Sequence, residues 1–248
     1  MKKFFLVIAA LAMCASNANA FDNEPEEGFT YMGLFGMNVS KIQNSDYGAK
    51  AGAMLGTRVD YVLPNAHGTY LTAGFDWTMK GGKTTVSDDL YIEDTPFSGT
   101  HKYALHYFEV PIRIGFRYNV SDDFGLYGEF GPYLAIGIGG KHKCSIGDGA
   151  EKNAAEDFDT FKAFKNRTDL MHPTFQRWDS GIGFRIGAEY NQHYNLMLGC
   201  DWGLADIYRN NLRTAFYDNA KALGLPEEEC NLSRIHNFNF SITFGYRF

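Results

Sequence analysis

From Phe238 to Phe248, large apolar side chains stand at every even position and small or polar ones at every odd position. Successive side chains of a β-strand point to opposite faces, so this segment has one greasy face and one polar face. A helix would need apolar residues at i, i+3, i+4 and i+7, and here the i+3 and i+7 positions always fall in the polar set. A water-soluble edge strand could carry the same alternation. The pattern recurs along the chain, however, and eight segments show it, separated by turn residues.

The first predicted strand runs from about Phe29 to Lys41, with Phe29, Tyr31, Phe35, Met37 and Val39 on one side and Met32 and Leu34 on the other. The second, Ala53 to Leu63, sets Leu55, Val59 and Tyr61 against Arg58 and Asp60, and the third, Thr69 to Met79, sets Leu71, Phe75 and Trp77 against Thr72 and Asp76. The fourth, Tyr103 to Tyr118, has Phe108, Val110, Ile112, Ile114 and Phe116 opposite Glu109, Arg113 and Arg117. The fifth, Phe124 to Gly139, has Leu126, Phe130, Leu134 and Ile136 opposite Tyr127, Glu129 and Tyr133. The sixth, Ser180 to Tyr190, has Ile182, Phe184 and Ile186 opposite Arg185 and Glu189, and the seventh, Asn195 to Tyr208, has Leu196, Leu198, Cys200, Trp202 and Leu204 opposite Asp201. The eighth is the terminal segment.

Connections fall into two kinds. Strands two and three, four and five, and six and seven are joined by tight turns at Pro64–Gly68, Asn119–Asp123 and Asn191–His193. The others are far longer than ordinary hairpin loops. Strict alternation of short and long connections over an even number of strands is the pattern of an outer-membrane barrel, with short periplasmic turns and long extracellular loops. A lipocalin-like soluble barrel would want its apolar face inward and its charges outward. After the first twenty residues the longest uncharged apolar stretch is Phe130–Gly140, well short of the roughly 20 residues that a spanning helix needs. The expected fold class is therefore all-β, an eight-stranded antiparallel transmembrane β-barrel, because only a closed barrel satisfies strand backbones in hydrocarbon.

With the aromatic face toward lipid, the opposite face collects Arg58, Asp60, Asp76, Glu109, Arg113, Arg117, Glu129, Arg185, Glu189, Asp201 and Arg247. Eight strands leave an interior that side chains just fill, and charges taken from water there must be paired. A salt-bridged lumen network is expected, the alternative being an ion pathway lined by the same groups. Girdles of aromatic residues belong at the two membrane interfaces; the candidates are Tyr31, Tyr61, Trp77, Tyr118, Tyr190, Trp202, Tyr246 and Phe248. Phe158, Phe161 and Phe164, and then Leu212, Ala215, Phe216 and Leu223, sit near helical spacing, so short amphipathic helices over 155–166 and 212–224 are expected to cap the mouth. Loop charges are mixed in sign, and no cluster along the chain advertises an anionic lipid site.

Lys2 and Lys3, the apolar run from Phe4 to Met13 and the small residues Ala18 and Ala20 have the form of a secretory signal over 1–20. A short acidic segment, 21–27, and the barrel domain, 28–248, would follow. Removing residues 1–20 takes out two lysines and no acids, so the net charge of −6 becomes −8, which excludes nucleic acid as a partner. Cys144, Cys200 and Cys230 form no disulfide scaffold. Cys144 and Cys230 both fall in outward loops, so one bridge between them is open to the chain in an oxidising compartment. Cys200 is expected to lie against lipid as a small hydrophobe.

No histidine stands at a metal spacing, no Gly-x-Ser-x-Gly elbow is present, and no Ser or Thr follows Lys141 to complete a phosphate loop. No catalytic set, metal or cofactor is expected. The alternative of a barrel hydrolase would draw on the rim histidines His101, His106, His142 and His172.

Tyr107, Phe108, Glu109, Val110 and Pro111, followed by Gly131, Pro132, Tyr133 and Leu134 and by Gly139, Gly140 and Lys141, resemble the PorT-like family of outer-membrane β-barrel proteins. So do Arg185 to Tyr190 and the closing Phe244 to Phe248. The resemblance covers roughly residues 28–248. Pro111 lacks a donor and is tolerable only at a strand end or bulge, so a local distortion is expected there.

The resemblance implies insertion by the barrel assembly machinery, which reads a C-terminal aromatic and so places the assembly signal on Phe244, Tyr246 and Phe248. It also implies residence in the outer membrane of a Gram-negative cell, with both termini periplasmic. Some members are tied to protein secretion, and the long third and fourth outer loops depart from the simpler ones. The expectation is a non-enzymatic structural or interaction component of the envelope, in contact with outer-membrane lipid, with the assembly machinery and with other envelope or secretion proteins. A small porin or solute channel and a barrel enzyme acting on outer-membrane lipid are the alternatives.

Overall fold

The computed structural model describes residues 28–92, 95–146, 153–161, 175–208, 210–228, 230–231 and 233–248. The expected signal and acidic segment, 1–27, lie outside them. Nine strands and one helix follow in order: β1 Gly28–Gln43, β2 Lys50–Val62, β3 Thr69–Ile92, β4 Thr95–Asn119, β5 Phe124–Ile146, β6 Asn153–Asp159, β7 Trp178–Tyr190, β8 Tyr194–Gly203, α1 Asn210–Ala222 and β9 His236–Arg247.

Eight of these strands close a ring. Each pairs antiparallel with its chain neighbour, except that β5 passes over β6 to pair with β7 along Phe124–Ile136. The ring is sealed where β1 meets β9, with Met32 opposite Arg247 and Gln43 opposite His236. The strand β6 pairs only with the upper end of β5, Lys141–Ile146. Short connections at 63–68, 120–123 and 191–193 gather at one end. Two of them use left-handed backbone, at Asn65, His67 and Gly68 and at Asn191 and Gln192, which asparagine and glycine adopt most readily.

Alternation puts apolar side chains outside and polar ones inside. Met37 and Leu134 are 69 % and 59 % exposed, whereas Arg58 is 2 % and Asp76 0 % exposed. That is the inverse of a water-soluble globule, and it is the arrangement that a hydrocarbon surround demands. Met32 and Leu34, the odd pair of the first strand, face in and are buried.

Three strands are much longer than the ring requires. The strands β3, β4 and β5 have 24, 25 and 23 residues, against 10 in β8 and 12 in β9. About 9–11 residues cross a bilayer, so these three rise past the others as a sheet to which β6 adds. Much of what was expected to be loop is therefore continued ladder. The connection from β3 to β4 leaves only residues 93–94 outside the strands.

The helix expected over 155–166 is corrected in the same way. Residues 153–159 are strand β6, held by the free edge of β5, and Phe161 is buried; the remainder, with Phe164, lies outside the described residues. The helix expected over 212–224 forms as α1. The predicted seventh strand stops at Gly203, five residues early, because the chain turns in over the mouth and buries Ile207.

Pro111 lies in the middle of β4 rather than at a strand end, and the local distortion expected there takes the form of a break in pairing. Pairing with β5 breaks off after Pro111↔Tyr133 and resumes at Ile114↔Phe130 in the same register. The gap sits beside Gly131 and Pro132, so a second proline without an N–H accommodates the missing bonds.

Candidate functional site

The polar interior is built in layers, because each strand contributes one inward residue every two positions. Lowest, toward the short turns, Arg117 Nη2 and Arg247 Nη2 both donate to Asp60 Oδ2 at 3.3 Å. Arg247 Nη1 also contacts Glu189. The guanidinium of Arg117 lies over the Tyr70 ring, 5.0 Å from its centroid, a cation–π placement in a desolvated site. Tyr70 in turn donates to Glu129 Oε1 at 2.9 Å.

In the middle layer Arg58 holds Asp76 with both terminal nitrogens, Nη2 to Oδ2 at 2.7 Å, the fork geometry that favours arginine for carboxylates. Arg185 Nη2 approaches the same carboxylate at 3.7 Å. Arg113 Nη2 donates to Asp201 Oδ1 at 3.2 Å. Space for these side chains comes from glycines across the ladder. Gly74 stands opposite Arg58, and a Cβ there would lie 2.4 Å from Arg58 Nη1.

Higher still, Lys80 Nζ lies 2.5 Å from Glu109 Oε1 and 3.4 Å from Asp179 Oδ2. Its ammonium is also 4.6 Å from the centroid of the Tyr133 ring. Asn237 Nδ2 donates to Asp179 Oδ2 at 2.9 Å, and Asn239 Nδ2 to Asp201 Oδ2 at 3.3 Å. Asn38 Nδ2 donates to Asn239 Oδ1 at 2.6 Å and to the Met79 carbonyl at 2.9 Å. The layers are thus connected from floor to mouth.

Apolar side chains close both ends. Met32, Val62, Tyr70 and Tyr127 pack at the floor. Ile42, Tyr103, Leu105, Phe161, Phe175, Ile207 and Ile235 pack at the mouth. The span above β8 contributes through Ile207 N, which donates to the Ile235 carbonyl at 3.0 Å.

All eleven residues expected to face the lumen are buried there: Arg58, Asp60, Asp76, Glu109, Arg113, Arg117, Glu129, Arg185, Glu189, Asp201 and Arg247. Lys80 and Asp179 join the set from positions one residue outside a predicted strand, and Lys50 from three residues outside one. Their parity was a usable signal: Lys80 continues the inward series Thr72, Asp76, Thr78. With these three, of which Lys50 lies near the mouth, the buried charges among the described residues are seven cations and seven anions.

Elsewhere, all eight aromatics expected at the interfaces point outward from the wall. Cys200 is half-buried on that outer face. Cys230 is a buried free thiol, its Sγ 3.3 Å from the Pro226 carbonyl. The expected bridge to Cys144, whose side chain lies outside the described ones, is therefore not formed. Among the rim histidines, His142 is buried 4.4 Å from the Tyr103 ring, while His106 faces out and stacks on Trp77; the two do not converge. His101 and His172 are not among the described side chains.

Three solved structures align with this chain. The attachment invasion locus protein Ail of Yersinia pestis aligns at 14 % identity and TM-score 0.40, over 90 % of this chain and 100 % of that one. Neisserial surface protein A aligns at 9 % and 0.41, over 91 % and 100 %, and OprG of Pseudomonas aeruginosa at 12 % and 0.39, over 91 % and 98 %. No curated protein matches the sequence. The model of one family, the outer membrane protein beta-barrel domain, matches residues 6–248, and the chain belongs to that family.

Proposed function

We propose that this barrel is a closed, non-enzymatic component of the outer membrane that works through its outer end, as a structural or interaction partner of other envelope proteins. The observation that carries the reading is the lumen, which is occupied by mutually paired charges and capped by apolar side chains at floor and mouth. Short turns and both termini face the periplasm in this reading, and the β3–β6 sheet with α1 faces the exterior. A PorT-like role linked to protein secretion is the finer form of the proposal, with assembly through the terminal Phe244, Tyr246 and Phe248.

Planar-bilayer recording of the refolded protein tests it. The expected trace lacks large, stable open steps, and steady unitary currents would overturn the closed lumen.

A solute channel is the second reading. It is favoured by buried groups of the lower and middle layers that lack hydrogen-bond partners, namely Arg113 Nε and Nη1, all three nitrogens of Arg185, and Glu129 Oε2. Wide aqueous pores are built from about twice as many strands, which is why this reading comes second.

A further inference from the structure

A row of lysines crosses the outer wall above the hydrocarbon band. Lys83 of β3 stands directly opposite Lys102 of β4, and Lys102 directly opposite Lys143 of β5. All three are exposed, as is Lys141, which shares a face with Lys143. At about 4.8 Å between neighbouring strands, the row is only about 10 Å wide.

Like charges directly opposed across a ladder are unfavourable, so the row calls for an anion. Among the described residues no acidic side chain pairs with Lys83, Lys102 or Lys141. Lys141 and Lys143 stand opposite Asp159 and Asp157 of β6 in register, which leaves the field strongest at the β3–β4 end.

The height of the row selects the ligand. Beneath it on the same outward face are His106, stacked on Trp77 with centroids 5.6 Å apart, and the opposed pair Trp77 and Phe108. Aromatics of this kind mark the edge of the hydrocarbon. Lys141 lies four ladder rows above the Trp77–Phe108 pair and Lys102 six. At about 3.3 Å per residue and a strand tilt of roughly 40°, that is about 10 and 15 Å higher. Lysine stems bend toward the interface while their heads stay in the polar layer. The positive face therefore points sideways, away from the lumen, and its ammonium groups reach down toward the headgroup layer.

We propose that the Lys83–Lys102–Lys141–Lys143 face docks the phosphorylated headgroup of an outer-leaflet glycolipid. The proposal rests on the orientation given above, with the long-strand end outside.

The test uses the full-length barrel in phosphatidylcholine nanodiscs and fluorescent lipopolysaccharide as the probe. K83E/K102E is expected to weaken binding roughly tenfold or more at low salt, with most of the difference lost at about 0.5 M salt. K221E/R234E, which makes the same charge change on the exposed loop beyond β8, is expected to bind as the unaltered protein does. Heat-modified gel mobility checks that each variant is folded. Equal binding by K83E/K102E overturns the proposal, and so does equal binding of enzymatically dephosphorylated lipopolysaccharide. Displacement by millimolar inorganic phosphate does likewise, since it would mark a free-anion site. Biotinylation of Lys221 on intact cells reports the orientation separately, so failure of the lysine face and failure of the topology give different results.

Discussion

The guanidinium of Arg58 grips the carboxylate of Asp76 through both of its terminal nitrogens, at mid-height in the barrel, where both side chains are only 1 % exposed. Removing one partner leaves the other charged and without water. Asp76→Asn is therefore expected to destabilise the barrel by about 3–5 kcal/mol. The double replacement R58M/D76L, which removes both charges, is expected to cost much less. Urea titration of the folded fraction in detergent micelles measures both, and a double mutant no better than D76N would disprove the pairing.

Interior room is the second quantity open to measurement. A Cβ at Gly187 would sit 2.3 Å from the Tyr127 ring, while one at Gly139 meets nothing within 4 Å. Gly187→Ala is expected to cost about 1–3 kcal/mol through overpacking, and Gly139→Ala less than about 0.5 kcal/mol. The same urea titration compares them, and equal effects would show that the lumen is not tightly filled at that level.

The three tryptophans, Trp77, Trp178 and Trp202, all sit on the outer wall at the end opposite the short turns. Tyrosines Tyr61, Tyr118, Tyr190 and Tyr246 occupy the other end. Intrinsic fluorescence should be quenched more strongly by lipids carrying a nitroxide near the headgroup than by lipids labelled deep in the acyl chain. Preferential quenching by the deep label would misplace the whole band.

Thiol chemistry separates wall from loop. In a C144S variant the two remaining described thiols, Cys200 on the lipid face and Cys230 in its buried contact, should resist a membrane-impermeant maleimide in vesicles and react in urea. Mobility of the unaltered protein on gels should be the same with and without reductant. A reductant-dependent shift would establish the bridge that the structure lacks.

The part of the fold legible in the sequence is the part bathed in lipid. There the two faces of each strand meet opposite solvents, and the alternation from Leu71 to Trp77 or from Phe238 to Phe248 is strict. Above the membrane β3 and β4 keep their ladder but lose the lipid face. Gly81, Gly82 and Lys83 no longer alternate, and the strand looks like loop. Phe158 and Phe161 stand three apart and so imitate a helix, while what fixes the conformation of β6 is the distant edge of β5. Lys80 and Asp179 sit just past the ends of the strict alternation. The lysine row was invisible for a related reason: its members are scattered along the chain, and only the register of β3, β4 and β5 brings them side by side.

The seam between β1 and β9 has a temporal consequence. Every other junction of the ring joins segments made in close succession, but this one stitches the opening strand to the final one. Until it zips, two strand margins stand with unmet amides, which an oily surround does not forgive. Such a ring is all-or-none. Maturation must wait for β9 to be synthesised, and a chain truncated within it should be handed to periplasmic proteases rather than persist as a leaky partial cylinder.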